Sequence, residues 1–566
     1  MIIRFPLLVP ALLCSIHPAI ADTIHVDASI SPSGDGGSWE SAFENLSDAL
    51  DVAVSGDTIL VAAGEYLPVS SAPSFKVNPG VTVLGGHPKG GGERDPGTHS
   101  TVLQSSGRIL LVVGGSAPVV LDGLRFEGGE AVVTSNLQPA GAAIAAFDGG
   151  QLEIQNCQFA NNLAWDQGSG FSRSPLGGDI YYHHSGGTYT DILTIGNCSF
   201  SGSLSPDVDA YGGSIYASVP QATLTDCEFT GYRALNAGAI YLLMDGSGGG
   251  AVFSRCRFKG NEARFDGGAM IIEGGAQAVN FFNCLFSGNH SGDYGIPDAD
   301  GGAIRLGKPG PTTFMNCTFA GNSAGGDYNQ LAGRGGAIAV NGGAGQTIQF
   351  LHNLFAGNFE TAGLGPYVNA VNFPAGYTGS ATFAGNHTSE EELPDSIPAV
   401  PNHTPFSAVW SPPDFRTPIT LQSSQLGGAT RFLATTAGDL GMDYPSPLAD
   451  LAAEGVTSHA TLYLPAGRNE FDAAGQARSQ GWVPDPGCFE AQPAPGTVEV
   501  VGFEVDTTSQ TSRLAFVSDV PVRVQRSYDL NFWSSTPVRT ISPYSRNESL
   551  QLQFGESAFY RVERAP

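Results

Sequence analysis

Leu152-Glu153-Ile154-Gln155-Asn156-Cys157-Gln158-Phe159 decides the fold. Apolar and polar residues alternate through Ile154, slip by one position at Asn156, and resume at Cys157 and Phe159. Period two predicts strand. A one-residue slip predicts a sharp bend, and Asn or Asp tolerates the left-handed backbone such a bend needs. The frame returns at Leu193/Ile195, Ala222/Leu224, Ala251/Phe253, Val279/Phe281 and Thr312/Phe314. It leads each time into a Cys-x-Phe unit, at Cys198/Phe200, Cys227/Phe229, Cys256/Phe258, Cys284/Phe286 and Cys317/Phe319, with a fading copy at Asn353-Leu354-Phe355.

Between these units runs a second phrase: Gly141-Ala-Ala-Ile144, Gly177-Gly-Asp-Ile180, Gly212-Gly-Ser-Ile215, Ala237-Gly-Ala-Ile240, Gly267-Gly-Ala-Met270, Gly301-Gly-Ala-Ile304 and Gly335-Gly-Ala-Ile338. After each glycine turn a short strand points Ile240/Leu242, Met270/Ile272 or Ile338/Val340 inward. The repeat length, roughly 25 to 40 residues, lies in the solenoid range. Short strands joined by bends once per repeat stack as the coils of a parallel β-helix. Roughly ten to thirteen coils at ~4.8 Å make a rod of about 50–60 Å. The six repeat cysteines fall in one inward column. Stacked side chains at ~4.8 Å are wider apart than bridged Cβ atoms, so a thiol ladder packed as small hydrophobes is expected. The Phe column from Phe159 to Phe355 is read as core.

The composition agrees. The 566 residues include 76 Gly and 37 Pro, too many for a helical protein. The net charge is −27 and Lys occurs only at 76, 89, 259 and 308, which argues against nucleic acid and anionic membrane as partners. Residues 1–21 have the form of a signal peptide, with Arg4, the apolar run Pro6 to Ile16, and Ala19-Ile20-Ala21 as the cleavage site. A lipoprotein signal is the alternative at Cys14, where Leu13 is bulkier than such a site prefers. No later stretch reaches the ~20 apolar residues of a membrane span. A secreted or cell-surface location is expected.

These residues resemble two known groups. The Gly-Gly-Ala-Ile and Phe-x-x-Asn phrases resemble the repeats of polymorphic outer-membrane proteins. The opening, with Gly37-Ser-Trp39, Ala42-Phe43, Leu46, Gly56-Asp-Thr-Ile-Leu-Val-Ala-Ala-Gly-Glu-Tyr66 and Gly80-Val-Thr-Val-Leu-Gly-Gly86, resembles right-handed parallel β-helix proteins of the pectin-lyase-like group. That resemblance implies a capping helix over Ser41 to Val54. Leu464-Pro-Ala-Gly467, Asp472-Ala-Ala-Gly475 and Asp485-Pro-Gly-Cys-Phe-Glu490 look like the closing segment of exported bacterial β-helices. The residues after 490 are too few for an autotransporter barrel. Asn-Thr-Asp, Gly-His-Gly and Arg-Ile-Lys, active-site motifs of polygalacturonases and pectate lyases, are absent. Fold analogy alone therefore names no enzyme.

The expected organisation is a signal peptide (1–21), a right-handed parallel β-helix (22–490), a linker (491–496) and a small antiparallel β-sandwich (497–566), whose strands are read at 498–503, 513–517, 522–525, 550–554 and 558–562.

Loop lengths along the helix suggest a cleft. The segments 163–176, 290–300 and 323–334 are long, whereas 233–236 and 262–266 are short. Inserted loops on one face are where repeat proteins keep function. An outward row across the coils reads Ala145, Tyr181, Tyr216, Tyr241, Ile271, Arg305, Ala339. The neighbouring row supplies His183 and Glu273, and Asp179 stands where other coils have Ala or Ser. With Trp165, Tyr294 and Tyr328 on the walls, these residues suit sugar binding. Two readings oppose this: the long loops fold down and cover these side chains, or the tyrosines form a ladder that only stabilises the sheet.

Asp179 and Glu273 are three coils apart, ~14 Å, too far for a glycosidase pair. Asp266 and Asp300 precede their Gly-Gly in adjacent coils, with Asn236 before them and Arg334 after. They could form a salt-bridged ladder with Arg334 on Asp300 and Asn236 on Asp266, hold Ca²⁺, or share a proton. The leading expectation is non-catalytic, adhesin-like binding of a polysaccharide or cell-surface component with no cofactor beyond a possible Ca²⁺. The alternative is a polysaccharide lyase or glycoside hydrolase using Asp266, Asp300 and Arg305 beside Tyr216 and Tyr241.

Overall fold

The computed structural model describes residues 21–388 apart from 70–73, 133–139, 148–149, 166–173, 184–190, 203–209, 246–248, 293–298, 308–309, 326–332, 343–345 and isolated positions beyond 350. Beyond 388 it describes the strand backbones at 421–426, 429–434 and within 498–564.

Three long parallel sheets of 12, 11 and 10 strands wrap one core. At about 4.8 Å per strand, twelve strands span about 53 Å. A single coil shows the circuit. Ile240–Met244 lies on the ten-stranded face, Gly250–Ser254 on the twelve-stranded face and Arg257–Lys259 on the eleven-stranded face. The two-residue strand Glu262–Ala263 then leads to Met270–Glu273, where the next coil begins.

The bends fall where the phase slips. Asn156, Asn197, Asp226, Arg255, Asn283 and Asn316 all have φ between 49° and 56°. Arg255 is the least suited residue to that conformation, and a fork of two 2.6 Å bonds to Asp226 in the preceding coil holds it there. The two glycines of each turn have different reasons. The first takes a positive φ, as at Gly267 (65°) and Gly301 (69°). At the second, a Cβ on Gly268 would lie 2.0 Å from the carbonyl oxygen of Gly302 in the next coil, so no side chain fits.

The core is a pair of aromatic columns. Phe126, Phe159, Phe200, Phe229, Phe258, Phe286, Phe319 and Phe355 stack with centroids 4.4–5.1 Å apart. Phe253, Phe281, Phe314, Phe350 and Phe383 form the second column. The six repeat cysteines are buried and unbridged. Each thiol donates back to a carbonyl of the preceding coil, as Cys256 does to Leu224 at 3.4 Å. Asn353 continues the cysteine column and donates to the Phe314 carbonyl (3.0 Å) and to Asn386 (2.9 Å).

A second internal ladder comes from the Gly-Asn that ends the later Cys-x-Phe units, from Cys256 onward. Asn261, Asn289 and Asn322 each donate to the amide oxygen of the next coil's Asn, at 3.0, 2.9 and 2.9 Å, ending on Asn358. The same side chains cap the carbonyls of Phe229, Phe258 and Phe286. Buried backbone that would otherwise be orphaned at the corner is thereby satisfied.

One expectation changes. The capping helix covers only Leu46–Val52, because Phe43 is taken into a bridge with Val26 and Asn45 is extended. The described coils end at His387–Thr388, so the closing segment 464–490 and Cys488 lie outside the described residues. Past the coils, Leu421–Leu426 and Ala429–Ala434 pair antiparallel. The tail strands Val498–Asp506, Thr511–Ser518 and Ser549–Leu550 form one antiparallel sheet, and Val522–Ser527, Arg539–Ile541 and Phe559–Arg564 another.

Candidate functional site

The ten-stranded face carries the predicted row in register, but it is not outward throughout: Ala145, Tyr181, Ile271 and Ala339 are buried, and Tyr216, Tyr241 and Arg305 are half-buried. Ala145 pairs with Tyr181, Tyr181 with Tyr216, Tyr216 with Tyr241, Tyr241 with Ile271, Ile271 with Arg305 and Arg305 with Ala339. The parallel row holds Phe147, His183, Ser218, Leu243 and Glu273.

The tyrosines stack on one another. Ring centroids lie 5.8 Å apart for Tyr181–Tyr216 and 5.3 Å for Tyr216–Tyr241, with planes within 18°. His183 lies nearly parallel to Tyr181 at 6.0 Å, Phe147 meets Tyr181 at 5.2 Å, and Tyr211 packs edge-on against Tyr241 at 5.6 Å. The ring faces that the sequence reading assigned to sugars are thus largely occupied within the ladder. Tyr181 is buried in a small apolar cluster with Ala140 and Leu176, against which Tyr211 and Tyr216 pack, so only Tyr216 and Tyr241 keep part of their surface open. Among the described residues no group takes a hydrogen bond from, or gives one to, the hydroxyls of Tyr181, Tyr216 or Tyr241. Burial pushes Tyr181 and Tyr241 up to about 12, with Glu273 adding to the effect at Tyr241, so both remain neutral donors.

An ionic cluster closes the row. Arg305 reaches Asp266 (Nε to Oδ2, 3.3 Å) and makes a short bond to Glu273. Burial works against the charge of Arg305, and Asp266 and Glu273 more than offset it. Burial pushes Asp266 up to about 6, although the backbone N–H of Asp300 (2.9 Å) and Arg305 pull the other way. Asp300 is buried and accepts a fork from Arg334 (2.7 and 2.9 Å) and a bond from Asn341 (2.5 Å). The Arg334–Asp300 half of the expected ladder is present. At Asp266 the partner is Arg305 rather than Asn236. Each carboxylate thus faces a guanidinium, and among the described residues no three His, Cys, Asp or Glu converge as a metal site.

Other candidates go elsewhere. Asp179 is buried inside the coil, where it accepts bonds from Tyr232 (2.5 Å), Ser214 (2.8 Å) and Asn162 (2.9 Å), so it is not part of an outward surface. Burial pushes it up to about 6 against those three donors. The left-handed Gly177 two residues earlier turns the side chain inward, which outward-row counting from Tyr181 does not reveal. Trp165 belongs to a separate pairing with Val132 and does not join the tyrosine face. Tyr294 and Tyr328 lie outside the described residues. The sequence reading missed Phe147 and Tyr211. Phe147 was available two residues beyond Ala145, and Tyr211 in the column before the Gly-Gly turns, where it bridges Leu176 and Asn236.

A groove of about 600 Å³ lies at the Asn bends, lined by Arg94, Asn156, Gln158, Asn197, Ser199, Asp226 and Glu228 among others. Its polar groups are largely paired with each other: Asn197 donates to Asn156, Asn156 and Arg94 donate to Asp122, and Arg255 holds Asp226. That arrangement is a corner brace.

Residues 180–386 match the family described as "Right handed beta helix region". The coil is a right-handed β-helix. Among solved structures the chain is similar to a rhamnogalacturonan lyase at 15% identity, covering 70% of this chain and 91% of that one with a TM-score of 0.36. It is also similar to pectate lyase Pel9A at 13% identity, covering 83% and 98% with a TM-score of 0.36. No curated protein matches the sequence. Among the described residues no helix is long and apolar enough to cross a membrane.

Proposed function

We propose that this β-helix binds a glycan along the Tyr181–Tyr216–Tyr241 row and holds it without turning it over. The observation that carries the reading is the in-register ladder of Tyr181, Tyr216 and Tyr241, in which the half-buried Tyr216 and Tyr241 have hydroxyls unengaged among the described residues, running toward Arg305, Glu273 and Asp266. Hydroxyls that both donate and accept, beside apolar ring edges, are suited to the hydroxyls and C–H faces of a sugar chain. Asp266 and Glu273 are already bound to a cation, which weighs against their acting as free acid or base. The signal-like residues 1–21 support export, and with it a secreted or surface-attached, adhesin-like role.

One observation favours the catalytic alternative. Asp266 and Glu273 sit on a single guanidinium, nearer to each other than the Asp179–Glu273 pair, as the two carboxylates of a glycosidase must be. The test is a glycan screen of the purified chain, with and without Ca²⁺, that records binding and the ultraviolet absorbance of an unsaturated uronate product. Binding without product is expected. Absorbance growth that disappears in Arg305→Ala would establish the lyase reading instead, and released sugar without absorbance would establish a hydrolase.

A further inference from the structure

The charge arrangement around the tyrosine row narrows the kind of glycan. We infer that the row takes an uncharged oligosaccharide, recognised through its hydroxyls, and rejects polyuronates; this rests on the glycan reading above.

The four strands that carry the aromatic groups, Ile144–Phe147, Ile180–His183, Ile215–Val219 and Ile240–Met244, contain no Lys or Arg. The guanidinium at the end of the row is committed, Arg305 to Asp266 and Glu273, and the next one, Arg334, to Asp300. Three carboxylates against two guanidiniums leave this patch net negative. A uronate could reach Arg305 only by displacing a carboxylate from a half-buried ion pair, which leaves that carboxylate unpaired. The wider field has the same sign. The chain as a whole carries a net charge of −27. A polyanion approaching this face is repelled before contact.

What the face offers instead is neutral. The phenols are protonated, their rings step along the rod at 5.3–5.8 Å, and the half-buried Tyr216 and Tyr241 are the members open to an extended chain. Each hydroxyl can donate once and accept twice, which pairs it with sugar hydroxyls of either sense.

The experiment is an array of immobilised hexasaccharides, neutral (β-1,4-glucan, β-1,4-xylan, β-1,4-mannan, β-1,3-glucan) and acidic (galacturonan, mannuronan, guluronan), read at low and at moderate salt. The expected result is binding to a neutral member with an affinity that changes less than about twofold with salt. In Tyr241→Phe and Tyr216→Phe, which keep the stacked rings and delete one hydroxyl each, that affinity falls roughly 2- to 12-fold. Binding confined to the acidic members, weakening with salt, overturns the inference while leaving the glycan reading in place. Neutral binding that neither Phe variant nor Tyr241→Ala alters overturns the placement on this row. Silence across the array overturns the glycan reading and this inference together.

Discussion

Tyr232 donates its hydroxyl to the buried carboxylate of Asp179 across 2.5 Å. Tyr232 stands where the following coils have Asn261, Asn289 and Asn322, and its own backbone N–H donates to the Asn261 side chain at 3.1 Å. The amide ladder therefore stops at Tyr232, and the buried polar bonds pass instead to Asp179, which also collects Asn162 and Ser214. Asp179 stands where the other coils have Ala or Ser, and its buried carboxylate makes this coil sensitive to protons.

The pH dependence follows from the direction of the shift. Asp179 goes from an ordinary 3.8 in the unfolded chain to about 6 in the fold. Its contribution is fully present below about pH 3.8 and is lost as pH rises through about 6. The window is worth on the order of 3 kcal/mol. Asp179→Asn should flatten melting temperature between pH 4 and 6 relative to the parent chain. A parallel decline in both proteins would assign the effect to other groups.

Removing one amide from the ladder breaks several bonds at once. Asn289 donates to the Phe258 carbonyl and to Asn322, and accepts from the backbone and side chain of Asn261. Asn289→Ala leaves buried partners unsatisfied and is expected to cost about 2–4 kcal/mol, measured by denaturant unfolding. The exposed Asn197→Ala, at a bend rather than in the ladder, should cost less.

The bends can be tested through backbone conformation alone. Asn316 has φ 52°. Asn316→Gly should leave stability within about 1 kcal/mol, whereas the β-branched Asn316→Val should lose about 1–2 kcal/mol or more.

The cysteine column should be chemically silent in the folded chain. All six are buried, which removes access to them, and burial pushes the thiols of Cys198, Cys227 and Cys284 up. A thiol-reactive dye should label none of the six repeat cysteines in native buffer and all six in denaturant, as read by peptide mass analysis. Rapid native labelling of Cys256 would show that the coils open locally.

If turnover is found, its pH profile identifies the group. A base at Asp266 must be ionised, so kcat/KM should rise with pH through about 6 and then level. A profile that instead falls through that range would make Asp266 the acid.

Much of this was readable in the residues because a solenoid repeats its evidence. The parity slip at Asn156 recurs at five further bends, and every one of the six has positive φ, including Arg255, whose identity alone gives no such hint. The register of the row from Ala145 to Ala339 was legible because each strand starts at the same step after its glycine turn, whereas the burial of Ala145, Tyr181, Ile271 and Ala339 was not. What was not legible depends on direction across a turn. Asp179 follows a left-handed glycine and points inward, although it sits one residue before a core Ile and two before Tyr181. The tyrosine faces were misread for a related reason. Residues one coil apart sit at the strand spacing, which is close enough for rings to stack on each other before any ligand arrives. The Arg305–Asp266–Glu273 cluster joins residues from two coils and three different columns, a combination that no single column displays.

The tyrosine hydroxyls ride on strands whose separation is set by main-chain hydrogen bonds, so the face behaves as a ruler with fixed graduations. Side-chain substitution can erase a mark or change its chemistry, but it cannot move two marks closer together. A lineage that needed to read a longer polymer would have to add a whole coil, and one that needed a different pitch would have to abandon this face altogether.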